Sequence, residues 1–230
     1  MVRLLAVCLL LVMMQGHAQR IRIKDYYPLV IGARWTYTAP PGKPDYVSRI
    51  ERGETSSAIL HYDATNAAKV LRYDRGRGIF YGGEIFNDGS KVVFQKPFYW
   101  FTDRIKLGDS IYVSTPFQKY ETDGRITEGT FTITQKVVAL EDVTTTSGQL
   151  YPQCMRIDFS THWVFEDGRQ AQSINTYHFA KGIGPVKASA RFIITSPQGE
   201  QIINRLVETD LKKFEIIREN ENSHWHKPAQ

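Results

Sequence analysis

The stretch from Thr176 to Ser189, "TYHFAKGIGPVKAS", holds a Gly-x-Gly pair, Gly182 and Gly184, flanked by Lys181 and Lys187. Glycines beside a lysine are the raw material of a phosphate-cradling loop. Such a loop needs Gly-x-x-x-x-Gly-Lys-Ser/Thr running into a helix, so that backbone N–H groups surround the phosphate. Here a single residue separates the glycines, Pro185 removes one of the amides, and the residues that follow alternate as a strand does. The third glycine of a dinucleotide fingerprint is also missing. Gly182 and Gly184 are therefore read as a bend between two strands, as is Gly32 earlier in the chain.

The histidines and carboxylates give the other candidates. His162 shares the polar face of its segment with Arg156, Asp158 and Ser160, which imitates an acid/base cluster. No nucleophile or oxyanion loop accompanies it, and residues at i, i+2 and i+4 of a strand are what a solvated face displays. His61 and His178 stand isolated in strand-like surroundings. His224 and His226 have the i, i+2 spacing of a metal pair, but a polar tail with no third ligand nearby does not make a site. Glu141-Asp142 and Asp103/Asp109 lie beside turns, where carboxylates bond turn amides. No catalytic residue, metal or cofactor is expected.

The most unusual segment is "KPFYWFTDRI". Phe98, Tyr99, Trp100 and Phe101 are four consecutive aromatics, whereas a half-exposed strand needs only alternate apolar positions. The run means either burial on both faces or an exposed aromatic surface. With Trp35, it is the candidate site for a ligand or partner.

These residues must sit on strands. Met155, Ile157, Phe159, Trp163 and Phe165 alternate with Arg156, Asp158, Ser160 and His162. Trp35 and Tyr37, Phe131 and Ile133, and Val186 to Ile194 alternate in the same way, one face apolar and the other polar. Turn signals divide the runs: Pro40-Pro41-Gly42, Asp74-Arg75-Gly76, Asn87-Asp88-Gly89, Asp123-Gly124, Asp167-Gly168 and Pro197-Gln198-Gly199. The pattern predicts an all-β, mainly antiparallel domain over residues 19–218. A curved half-barrel or a sandwich-like sheet would satisfy it, with at most one or two short helices. Residues 208–218 fit a helix or a final strand, and residues 219–230 form a polar tail. "LVIGARWTY" (Leu29–Tyr37) and "IKLGDSIYV" (Ile105–Val113) share a pattern around a glycine, which marks either two related halves or a coincidence of short motifs.

The first residues read "MVRLLAVCLLLVMMQGHAQR". Arg3, an apolar run to Met14 and the small-x-small site Gly16-His17-Ala18 predict a secretory leader cut after Ala18. Val7 before Cys8 does not suit lipidation. The run is too short to anchor the chain, so the mature protein, destined for the periplasm or beyond, is expected to have no transmembrane span. It would keep Cys154 as its one cysteine and so hold no internal disulfide. The net charge of +5 is spread without a block of like charge, which argues against nucleic-acid partners.

"YYPLVIGARWTY", "LGDS", "LEDVTTTSGQLYPQCMRI" and "YHFAKGIGPVKAS" follow one another in this order. Together they resemble the secreted bacterial β-proteins called TapB-like or of unknown function. Those are similar in architecture to the LolA/LolB-type lipoprotein-carrier half-barrel. The resemblance covers Tyr26 to Leu211; Tyr151 stands where a Phe is usual, and Pro185 follows the second glycine. It implies no catalytic residues. The lipid carriage of that fold makes a lipid or other apolar ligand the first expectation, and an envelope-protein partner the alternative.

Overall fold

The structure is a computed structural model that describes residues 20–39, 42–53, 57–63 and 66–217. The predicted leader and tail, including Cys8, His224 and His226, lie outside the described residues, as do Pro40 and Pro41. A two-residue strand β1 (Ile21–Arg22) leads into the one described helix, the four-residue α1 (Ile23–Tyr26). The chain then makes six strands: β2 (Ala33–Tyr37), β3 (Tyr46–Arg52), β4 (Ala58–Tyr62), β5 (Ala67–Asp74), β6 (Gly78–Ile85) and β7 (Lys91–Thr102). A short β8 (Arg104–Ile105) pairs with β1, and six longer strands follow: β9 (Ser110–Tyr120), β10 (Ile126–Thr144), β11 (Leu150–Phe165), β12 (Gln170–Ala180), β13 (Gly184–Thr195) and β14 (Gln201–Ile216). Of the two readings open for residues 208–218, the strand is found, as far as Ile216.

The class is all-β and antiparallel throughout. The curl expected of a half-barrel is carried to closure. β2–β7 and β9–β14 are two six-stranded meanders, and the first strand of each pairs with the last strand of the other. Both closures are short: Leu211 to Ile216 of β14 against β2, and Lys91 to Phe94 of β7 against Phe117 to Tyr120 of β9.

The glycine pattern shared by Leu29–Tyr37 and Ile105–Val113 opens both meanders. Gly32 and Gly108 each have φ of +85°. Gly32 N–H donates to Ile50 O on β3, and Gly108 N–H to Val137 O on β10, the second strand of its own meander in each case. The next residue closes a turn in both places, Ala33 N–H to Val30 O and Asp109 N–H to Lys106 O. Two equivalent turns with equivalent bonds favour the related-halves reading of that pattern.

The inner face carries the buried apolar cluster, and the outer face mixes polar side chains with exposed apolar ones such as Tyr112, Ile174 and Leu206. No described helix is long and apolar enough to cross a membrane. Rings from the two meanders meet across the interior, Phe94 to Phe131 at 5.0 Å and Phe98 to Phe131 at 6.0 Å between centroids. Phe131 and Trp163 lie 4.4 Å apart beside them. The segment after α1 fills one end. Tyr27 packs its ring on Trp100, Phe101 and Phe179, and Ile23 is fully buried.

The structural glycines differ in what surrounds them. A Cβ on Gly32 would fall on the Ile217 carbonyl oxygen, and one on Gly184 would press on the Trp35 indole, whereas Gly182 faces open space. All three have positive φ. Gly182→Ala should therefore cost only the left-handed backbone penalty of about 1 kcal/mol. Gly32→Ala and Gly184→Ala add overpacking and should cost about 2–4 kcal/mol. Denaturant unfolding of the three variants measures that ranking.

Candidate functional site

The four consecutive aromatics do not share one face. Phe98, Trp100 and Phe101 point inward, and Trp100 and Phe101 are only 5% and 0% exposed. Neighbouring residues of a regular strand cannot both do this. Phe101 pairs with Ile79 and Tyr99 with Phe80, so Trp100 is an extra residue in the ladder. This β-bulge turns two successive rings inward. Tyr99 points outward, donates its hydroxyl to Asp74 at 2.8 Å, and sets its ring edge-on to Phe80. Trp35 is also buried, its indole N–H donating to Ile183 O at 2.6 Å. The run is thus part of the packed interior. One loose end remains there: the Trp100 indole N–H is buried with no partner among the described residues. The Trp100 carbonyl accepts from the buried Gln135 amide at 2.6 Å.

Three of the four ordered motifs converge at the end of the barrel beside α1. Glu141 on β10 meets His178 Nε2 on β12 at 2.8 Å. Asp142 accepts the Gln153 N–H at 2.9 Å, and the Tyr26 hydroxyl donates to Gln153 O. Gln153 holds φ of +51°, a strained value for a residue with a side chain. An open cleft of about 400 Å³ lies here, lined by Tyr26, Leu140, Tyr151, Gln153, Lys181 and Ile183 among others. Cys154 is buried beneath it, its thiol pKa pushed up to about 11 by burial, then by Asp142 and Glu141. A thiol held protonated is no nucleophile.

The remaining acid/base candidates are tied up on the surface. His162 meets Gln170 Oε1 at 2.9 Å, and Asp158 is shared between Arg156 and the Thr176 hydroxyl. His61 pairs with Glu51 on the adjacent strand. Asp109 accepts a turn amide as expected, from Lys106, while Asp103 takes the Tyr73 hydroxyl. Among the described residues no three His, Cys, Asp or Glu side chains gather as a metal would need.

A different surface stands out, which the sequence reading did not single out. β2 spans only five residues, so β14 is paired on both sides only from Leu211 onward. Residues 201–209 pair with β13 and with nothing else among the described residues. Among the described residues the β13–β14 hairpin therefore overhangs the closed barrel with one backbone edge unpaired. Its inner row continues the interior: Trp163, Ala171, Ile194 and Ile203 lie side by side on successive strands, and Phe192 follows. Its outer face carries Ile174, Ile193 and Leu206. Phe192 is 43% exposed, Ile202 61% and Leu206 62%. "QIINRLV" does not alternate, which is the signal that could have marked it: apolar residues on both faces with no sheet to cover either.

No family model matches this chain, and no curated protein matches it. Among solved structures it is similar to a Bacteroides fragilis protein named as exported with a YmcC-like fold. The two are 14% identical, the likeness covers 83% of this chain and 99% of the other, and the TM-score is 0.40.

The buried phenols and thiol fix a response to alkali. Burial raises the pKa of Tyr177 to about 12 and holds Tyr27, Tyr37, Tyr62 and Tyr81 higher than an ordinary phenol. Each of these groups prefers its neutral form when folded. Their contribution is complete below the unfolded values, near 9 for the thiol and 10 for the phenols, and is lost as pH rises through the folded ones. Stability should be level to about pH 9 and fall steeply through pH 11–12. The buried phenols should then ionise in one cooperative step with unfolding. Native Cys154 should resist thiol reagents at pH 8.

Proposed function

We propose that this chain is an exported, non-catalytic envelope protein that works by protein–protein contact, as an assembly subunit, through the β13–β14 overhang. The observation that carries the reading is a sheet segment with a free backbone edge and large apolar side chains uncovered on both faces. An edge of this kind is a template for another strand, and proteins that do not use such edges blunt them with lysine, proline or a cover. Residues 201–209 contain neither lysine nor proline. The leader pattern and the ordered motifs that resemble secreted envelope β-proteins support export. The tied-up acid/base groups support a role without catalysis.

A second reading keeps the first expectation, an apolar ligand. It draws on one specific observation, the buried Trp100 N–H that a ligand's acceptor atom would satisfy. The packed rings around Trp100 leave that ligand little room, so the geometry favours the contact surface.

The two readings separate in one experiment. The assembly reading expects cross-linked envelope extracts to show a defined complex that Leu206→Lys abolishes. The variant's unfolding free energy should shift by less than about 0.5 kcal/mol, as for other exposed positions. A protein that stays free in its envelope while native mass spectrometry finds bound lipid would overturn the assembly reading in favour of the ligand.

A further inference from the structure

The two ends of the barrel carry opposite charge, and we infer that the basic end docks on an anionic phospholipid surface. The inference goes beyond the assembly reading and does not depend on it.

Antiparallel strands return the chain alternately to the two ends. At the end beside α1 lie residues 20–32, 53–57, 75–77, 103–109, 145–149 and 181–183. Among the described residues these segments hold eight lysines and arginines and three carboxylates; Glu54 lies outside the described residues. At the far end, residues 38–45, 63–66, 86–90, 121–125, 166–169 and 196–200 hold three lysines and arginines and eight carboxylates. The sequence spreads its charge along the chain, and the fold sorts it by end.

The cations differ in company as well as in number. At the far end Arg125 pairs with Asp123 and Arg169 with Asp167. At the α1 end, Arg22 is the one basic residue of the eight with a carboxylate in ion-pair reach among the described residues, Asp25 at 3.2 Å. The other two carboxylates there are engaged, Asp103 by the Tyr73 hydroxyl and Asp109 by the Lys106 N–H. Backbone bonds make one patch of the separate segments: Ile23 N–H donates to Asp103 O, and Asp103 N–H to Arg77 O. Arg22 stands directly opposite Arg104 in the β1–β8 ladder. Like charges across a ladder cost stability, so folding by itself gives no reason for this pair.

Two further observations select a bilayer over an acidic protein as the occupant. Val30, Leu107 and Ile217 are exposed at the same end. Apolar side chains among cations suit a bilayer interface, where the apolar groups enter the headgroup layer and the cations meet phosphates. Five residues separate Arg20 from Met14, the end of the apolar run of the predicted leader. A leader held in the membrane therefore keeps this end within about 20 Å of it, and brings the cations to its surface. Docking in this way directs residues 201–209, which begin at the far end, away from the membrane.

Vesicle co-sedimentation of the chain recovered after export, without its leader, tests this. The probes are vesicles of phosphatidylcholine alone and of phosphatidylcholine mixed with phosphatidylglycerol. Binding to the mixed vesicles is expected at about 0.1 M salt, with release at about 1 M, where charges are screened beyond about 3 Å. Neutral vesicles should bind little. Each basic residue near an anionic surface is worth about fivefold in partition, so Arg75→Glu/Arg104→Glu should weaken binding about twenty-five-fold or more. Arg125→Glu/Arg169→Glu changes the net charge equally at the far end, beyond the screening length, and should leave binding within about twofold. Arg104→Glu gives Arg22 an opposite charge across the ladder, so the unfolding midpoint should not fall and lost binding is not lost folding. Equal loss from both double variants, or equal binding to neutral vesicles, would overturn the docking face. No sedimentation with mixed vesicles, or capture of an acidic protein through Arg75 and Arg104 in their place, would overturn the lipid surface as occupant. Leu206→Lys should bind vesicles as the unmodified chain does, so a failure here leaves the assembly reading standing.

Discussion

The packing of aromatic rings across the interior is the interaction on which the rest depends. A closed sheet of twelve strands encloses more space than a small barrel, and that space must be filled or wetted. The backbone cannot hold the circuit closed by itself, because each closure spans only a few residue pairs. Phe94, Phe98 and Trp100 from one meander meet Phe131, Trp163 and Phe159 from the other, and Tyr27 closes the end beside α1. The β7 bulge is part of this solution. Without the extra residue at Trp100, either Trp100 or Phe101 would face solvent.

Filling the interior has a consequence for function. The same rings that close the barrel occupy the concave face where a carrier would hold its cargo. The meanders are also unequal, with β2–β4 spanning five to seven residues and β10–β14 spanning eleven to nineteen. Long strands laid over short ones must project. The projection continues the inner row of apolar residues past the last strand able to cover it, so uncovered apolar surface follows from strand length.

Much of the fold was legible in the sequence because its signal is local. Alternation at Met155 to Phe165 and at Trp35 to Tyr37 identified strands, and the Asp-Gly turns spaced them. The glycine pattern at Gly32 and Gly108 was visible because a turn is specified by a few adjacent residues, but related halves could be told from coincidence only once both turns were seen to make equivalent bonds. Closure was not legible, since pairing between β2 and β14 depends on residues far apart in the chain. The aromatic run was ambiguous for a physical reason: a bulge defeats period-two reading at the position where it occurs. The overhang was missed because exposure there depends on the length of another strand. The convergence of Glu141 with His178, and of Asp142 with Gln153, likewise needed the fold before it could be seen.

The account's central claim is that the interior is closed by its own packing and that contact occurs at the free edge. Amide hydrogen exchange of the full chain, dilute and then in its assembled state, tests this most directly. The account predicts slow exchange around Trp100 and Phe101 in both states, and amides of residues 201–209 that exchange fast when dilute and become protected on assembly. Exchange around Trp100 that slows when an apolar ligand is added, with residues 201–209 unchanged in every state, would contradict it.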